Sequence, residues 1–229
     1  MDASLTAALG LGFVLGVRHA LDADHVAAVS TLVTGDRSFA RSCLRGTLWG
    51  VGHTLALLAA GVAVIAFKLR IPPGVERVVE QAIALVLVVL GLHVVRRAMA
   101  GSTLHRHEHV HDGVVHRHYH VHVGAQSHEH LHLLAGARRP LLLGVLHGLG
   151  GGGALVLVLL TTMPSPAAAF LYIVVFGAGS TAGMLVLSGL IGLPFVLLAP
   201  TSIRLATALQ ATVGVASVLI GVGMLVAAG

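Results

Sequence analysis

Charge is what this 229-residue chain has least of: 14 Lys+Arg and 9 Asp+Glu, or 10% of its residues, against about a quarter in an ordinary soluble domain. Its one cysteine, Cys43, excludes an intrachain disulfide and a cysteine-only metal site. No charged side chain interrupts Gly46–Phe67 (22 residues), Pro140–Ile203 (64) or Leu205–Gly229 (25). A membrane-crossing helix needs about 20 apolar residues, so the longest run alone holds two crossings. These absences exclude a soluble enzyme, a disordered chain and a nucleic-acid module. Lys68 is the only lysine, and the arginines are scattered through short loops rather than gathered into the basic patch a polyanion requires. H-E-x-x-H occurs only within the His-rich loop, at His107–His111 and His128–His132 and in none of the apolar spans, and there is no P-loop, so neither an intramembrane metalloprotease nor an ATP-driven pump is expected.

What is present instead is imidazole: 16 histidines, more than all the acids together. The hydropathy pattern predicts an all-α polytopic membrane protein with six spans, at 3–33, 45–67, 77–98, 140–161, 168–193 and 205–228. The first span is too long for a perpendicular crossing and carries polar residues near its middle, so a tilt, kink or local break is expected there. Its apolar start, Ala3–Val17, has no basic segment before it and is read as retained rather than as a signal peptide. Ten arginines (37, 41, 45, 96, 97, 106, 117, 138, 139 and 204) fall in loops 1–2, 3–4 and 5–6, against Lys68, Arg70 and Arg77 on the other face. The positive-inside rule therefore puts the 99–139 loop in the cytoplasm of a multi-pass inner (plasma) membrane protein.

The halves match each other. Gly16-Val17-Arg18-His19-Ala20-Leu21 aligns with Gly144-Val145-Leu146-His147-Gly148-Leu149 at an offset of 128. Trp49-Gly50-Val51-Gly52-His53-Thr54 aligns with Phe176-Gly177-Ala178-Gly179-Ser180-Thr181 at 127, and Val89–His93 with Leu219–Gly223 at 130. Three matches in one order at nearly constant offset predict two three-helix repeats, 1–98 and 140–229, flanking a His-rich loop at 99–139. Three crossings bring the second copy in from the opposite face, so the repeats are expected to be inverted. Transporters of that build bind substrate near the midplane, where helices are interrupted.

The densest polar cluster is Arg18-His19-Ala20-Leu21-Asp22-Ala23-Asp24-His25. Ionisable groups inside a membrane are costly and tend to be functional. On an unbroken helix His19, Asp22 and His25 share one slanting ridge while Asp24 points away. A four-ligand set therefore needs local unwinding. Imidazole with carboxylate suits nickel, cobalt, zinc or copper. The bland alternative, an Arg18–Asp22 ion pair holding helices together, accounts for Arg18 but not for two histidines and a second aspartate. His53 and His93 stand in otherwise apolar spans, where a lone histidine commonly joins helices by a hydrogen bond. His53 gains weight from Gly50 and Gly52 beside it, and His147 from its repeat of His19. Ser180 takes the place of His53 in the second half, where packing is the expected role. Eleven histidines between His105 and His132 form a metal-binding composition, expected to buffer or regulate rather than to select.

Arg18-His19-Ala20-Leu21-Asp22-Ala23-Asp24-His25-Val26 resembles the R-H-A-x-D-A-D-H-I hallmark of the nickel/cobalt transporter (NiCoT) family, differing only at Val26. Gly52-His53-Thr54 resembles that family's G-H-S motif, and His147-Gly148-Leu149-Gly150 the start of its H-G-L-G motif. The continuation departs: Gly151, Gly152, Gly153 and Ala154 stand where the family is acidic and threonine-rich. In length the chain is similar to the compact six-span, urease-accessory-type relatives. The resemblance implies a secondary transporter taking up Ni2+ or Co2+, with no enzymatic activity and no cofactor. His19, Asp22, Asp24 and His25 would be essential, and His53 and His147 would complete the metal site. The expected partners are the divalent ion and the lipid bilayer, not nucleic acid; a homo-oligomer is left open. Export of the same ions, or an accessory protein that binds metal without transporting it, are the competing readings.

Overall fold

The structure, a computed structural model, describes residues 3–36, 38–67, 72–100, 103–111, 114–122, 137–150, 163, 165–198 and 202–228. The first apolar run does not form one helix. Helix α1 (Ala3–His19) and helix α2 (Ala23–Val33) are bent by 58° at the intervening Ala20–Asp22. Asp22 precedes the first turn of α2 with extended backbone (φ −63°, ψ 146°); its carboxylate caps no N–H of α2 and lies against His19 Nδ1 instead. Backbone hydrogen bonds continue across the break. Leu21 N–H donates to Arg18 O at 2.9 Å and Asp22 N–H to His19 O at 3.1 Å, while Val26 N–H returns to Asp22 O at 2.9 Å. Eleven residues make α2 about 16 Å long, half a bilayer.

Four longer helices follow the break: α3 (Phe39–Phe67), α4 (Pro73–Met99), α6 (Pro166–Leu198) and α7 (Ile203–Ala228). Each is long and apolar enough to cross a membrane. With α1–α2 counted as one broken span, the described residues hold up to five crossings. Helix α6 runs past the expected end of its span, through Pro194 to Leu198. The expected span 140–161 begins as α5 (Arg138–Gly148), and its continuation from 151 lies outside the described residues. The all-α expectation holds for the membrane part. In the polar loop, strands β1 (Thr103–His111) and β2 (Val114–His122) pair antiparallel. Their register sets His105 opposite His120, His107 opposite His118 and His109 opposite His116. His128, His130 and His132 lie outside the described residues.

The main helix pairs are α4–α7, α3–α6, α1–α6 and α3–α5. Swapping α1 with α5, α3 with α6 and α4 with α7 leaves this set unchanged. Individual contacts obey the same exchange. Helix α1 ends in three-residue bonds from Leu21 and Asp22; α5 ends the same way, with Leu149 N–H to Leu146 O at 3.3 Å and Gly150 N–H to His147 O at 3.2 Å. Gly16 lies against the Phe176 carbonyl and Gly144 against the Trp49 carbonyl, so closely that a Cβ at either would strike backbone oxygen. Thr54 and Thr181 share a hydroxyl contact at 3.2 Å, and Ser217 donates to Leu87 O at 2.9 Å.

Two apolar clusters flank the break. One comprises Leu9, Leu57, Ala169, Tyr172, Ile173 and Phe176. The other gathers Ala20, Ala27, Ala28, Val29, Val33, Trp49, Leu87 and Met184. The far end of α2 is tied to α3 by polar contacts: Arg45 donates to Leu32 O and pairs with Asp36 at 3.1 Å, and Ser42 donates to Asp36 at 3.2 Å. Burial pushes the Asp36 carboxyl above its ordinary range, against the lowering pull of the nearby Arg45, Ser42 and Arg41.

Candidate metal centre

The helix break assembles four imidazoles. His19 closes α1, His25 opens α2, His53 projects from the middle of α3 and His147 closes α5. All four are buried. His25 is central: its ring centre lies 4.4 Å from that of His19, 4.6 Å from His147 and 5.2 Å from His53. Aromatic rings wall the group on two sides. Phe176, from the first apolar cluster, lies 5.5 Å from His19. Trp49, from the second, stacks on His25 at 5.8 Å and 11° and meets His147 edge-on at 5.3 Å.

The carboxylates take unequal places. Asp24 is 15% exposed and Asp22 52%. Asp24 Oδ1 accepts from the His25 backbone N–H and lies 2.9 Å from His25 Nδ1, while its Oδ2 lies 3.0 Å from His147 Nε2. Asp22 Oδ2 lies 2.9 Å from His19 Nδ1. An Nδ1–H bond to carboxylate fixes the tautomer and leaves Nε2 free to bind a metal, the usual support for a ligating histidine. Asp22 is so placed that it orients His19. The ridge expected on an unbroken helix is therefore absent, and the break brings Asp24 inward in place of Asp22.

Two groups could hold an ion: His19, His25 and His53, and Asp24, His25 and His147, each offering three ligand atoms within 4.8 Å of one another. His19 Nε2 and His53 Nε2 stand 3.2 Å apart. Two nitrogens bound to one ion at about 2.0–2.1 Å stand about 3.3 Å apart at the tetrahedral angle. The separation suits a shared ligand edge as well as a hydrogen bond. His25 Nε2 and His53 Nδ1 are buried with no partner among the described residues, an expensive arrangement for an imidazole unless something else is bound.

Other sequence candidates stand apart. Among the described residues Arg18 forms no ion pair; it is exposed, and Asp22 engages His19 instead. His93 lies on the exposed face of α4. Ser180 is buried, and its hydroxyl has no partner among the described residues. Sequence reasoning passed over two features. Trp49, one helical turn before His53, shares its face of α3, which was a readable signal. Asp36, the only acid between α2 and α3, was the other.

The relationships to known proteins agree with this chemistry. A family model described as NicO, high-affinity nickel-transport protein, matches residues 5–229. The urease accessory protein UreH of Bacillus sp. (strain TB-90) is 35% identical over 218 residues, which cover 95% of this chain and 90% of that protein. No solved structure matches the chain.

Proposed function

We propose that this chain, which belongs to the NicO family of high-affinity nickel-transport proteins, is a secondary transporter. It carries divalent nickel or cobalt inward across the plasma membrane by alternating access around His19, Asp22, Asp24, His25, His53 and His147. The observation that carries this reading is the buried ring of imidazoles at a helix break in a chain of transporter lineage. In this reading Asp22 supports His19 from behind, and the remaining five residues supply ligands. The framework is six spans in two inverted three-helix repeats, 1–98 and 140–229. It is supported by the contacts that recur when α1, α3 and α4 are exchanged for α5, α6 and α7.

Ligand chemistry sets the pH dependence. Metal binds neutral imidazole, so protons compete with the ion for these ligands and binding weakens as the pH falls. Inward movement needs no ATP: two charges crossing 100 mV gain about 4.6 kcal/mol, more than about a thousandfold in accumulation. Radioactive nickel uptake into proteoliposomes tests the reading. Wild type should accumulate the ion and the double variant His19→Ala/His25→Ala should not; equal uptake by the two would end it.

Two observations keep competing readings in play. The cross-strand histidines of β1 and β2 suit capture of metal on the cytoplasmic side before export. In a metal-sensitive host, import worsens nickel toxicity and export relieves it. The relative UreH is named as a urease accessory protein, which suits a metal-donating role without flux. That role would be abolished by deleting 105–132, whereas uptake through the membrane site would survive.

A further inference from the structure

Building on the transport reading, we propose that the ion occupies two alternative ligand sets sharing His25, and that translocation exchanges the other ligands around this imidazole. The first set is His19, His25 and His53; the second is Asp24, His25 and His147. Only His25 belongs to both. Its ring lies within 5.2 Å of each of the other three. Among the described residues, no ring contact joins His147 to His19 or His53.

The repeat gives the two sets a direction. Exchange of the halves carries His19 onto His147. In an inverted pair the exchange axis lies in the membrane plane, so these imidazoles fall on opposite sides of it, one toward each face. His25 has no such twin, because the matching position is Gly153. A ligand without a counterpart can stay with the ion while its partners change. His25 is equipped for this: Nδ1 is held by Asp24 at 2.9 Å, and Nε2 is buried with no protein partner. The sets also differ chemically. Three neutral imidazoles receive the ion on one side. On the other, entry of the ion replaces the 3.0 Å contact between His147 Nε2 and Asp24 Oδ2, bringing a carboxylate to the doubly charged cargo.

The experiment measures Ni2+ affinity and flux together on the full chain, for wild type, His53→Ala, His147→Ala, their double variant and His25→Ala. Trp49 is the only tryptophan and stands 5.8 Å from His25 and 5.3 Å from His147. Its quenching by paramagnetic Ni2+ therefore reports binding. Losing one of two comparable sets should cost each single variant about twofold in affinity, while flux falls by more than about tenfold because exchange is blocked. The double variant and His25→Ala should lose affinity by more than about a hundredfold, far beyond the sum of the single effects. Single variants that lose as much affinity as the double variant would overturn the proposal, as would His25→Ala that still binds. Gln at 53 or 147, nearer in volume, carries the same arms where an Ala variant is not monodisperse. Wild type that binds nickel without carrying it would sink the transport reading alone, and the affinity pattern would still decide whether two sets share His25.

Discussion

The two halves of this protein pack alike and differ in chemistry. Gly16 and Gly144 press on equivalent carbonyls, α1 and α5 end in equivalent bonds, and His19 and His147 stand at equivalent points. Beyond those histidines the likeness stops. Where the first half has Asp22, Asp24, His25 and His53, the second has Gly150, Gly152, Gly153 and Ser180. Helix packing in a membrane relies on small residues and close backbone approach, and glycine stands at both matched positions of several close contacts, Gly16 and Gly144, Gly50 and Gly177, Gly52 and Gly179, Gly91 and Gly221. Polar groups are expensive there, and the described contacts recur between the halves while the acids and most of the buried imidazoles stand in the first half alone. In the proposed reading, the difference means a scaffold used twice and ligands supplied largely once.

The largest break in that comparison should come from its carboxylates, because they are not equivalent to each other either. In Asp24→Asn the amide oxygen must remain where Oδ1 accepts the His25 backbone N–H. The NH2 then replaces Oδ2 facing His147 Nε2 and occupies the lone pair a metal would need. Nickel uptake should fall about a hundredfold, the upper range for groups that support metal ligands. Asp22→Asn keeps an acceptor for His19 Nδ1 at a half-exposed position, and should cost about tenfold. Initial uptake rates at saturating and limiting Ni2+ would separate lost affinity from lost turnover. Equal losses at the two positions would return Asp22 to the ligand set.

A smaller effect, equal on both sides, is expected from the shared scaffold. A methyl group at Gly16 or Gly144 meets a carbonyl oxygen of the facing helix, and overpacking of that kind costs about 1–3 kcal/mol. Gly16→Ala and Gly144→Ala should therefore lower thermal unfolding temperatures in detergent by similar amounts. A marked inequality would show that the halves are less alike in packing than their contacts imply.

Much of the site could be read before the fold. In a chain with nine acids, carboxylates inside an apolar run are conspicuous, and His19, Asp24, His25, His53 and His147 do converge. A kink or break was expected in this span and both aspartates were named; which of them turns inward depends on the bend, which brings Asp24 in and leaves Asp22 half-exposed beside His19. Trp49 was passed over although its place one helical turn before His53 was legible; only its stacking on His25 needed the fold. The Arg45 tie to Asp36 and the Leu32 carbonyl was equally hidden. Loop charges are common, and only the bend of α2 decides which of them meet. The extent of the fourth span falls partly outside the described residues.

The smallest predicted effect tests whether the second half contributes more than His147. Ser180 aligns with His53 when the halves are matched, and its buried hydroxyl has no partner among the described residues. A weak oxygen ligand would lose its function as Ser180→Ala, whereas a packing residue of nearly the same volume would not. Because the hydroxyl bonds to nothing among the described residues, its removal relieves a desolvation cost instead of breaking a bond. Stability should change by less than about 0.5 kcal/mol, with nickel uptake within about twofold of wild type. His53→Ala in the parallel assay should lose more than about tenfold, since it removes an imidazole facing His19 at 3.2 Å. A substantial loss on Ser180→Ala would mean that the ion meets oxygen from the second half where it meets nitrogen from the first. The chemistry too would then have been built twice, in two grades of ligand.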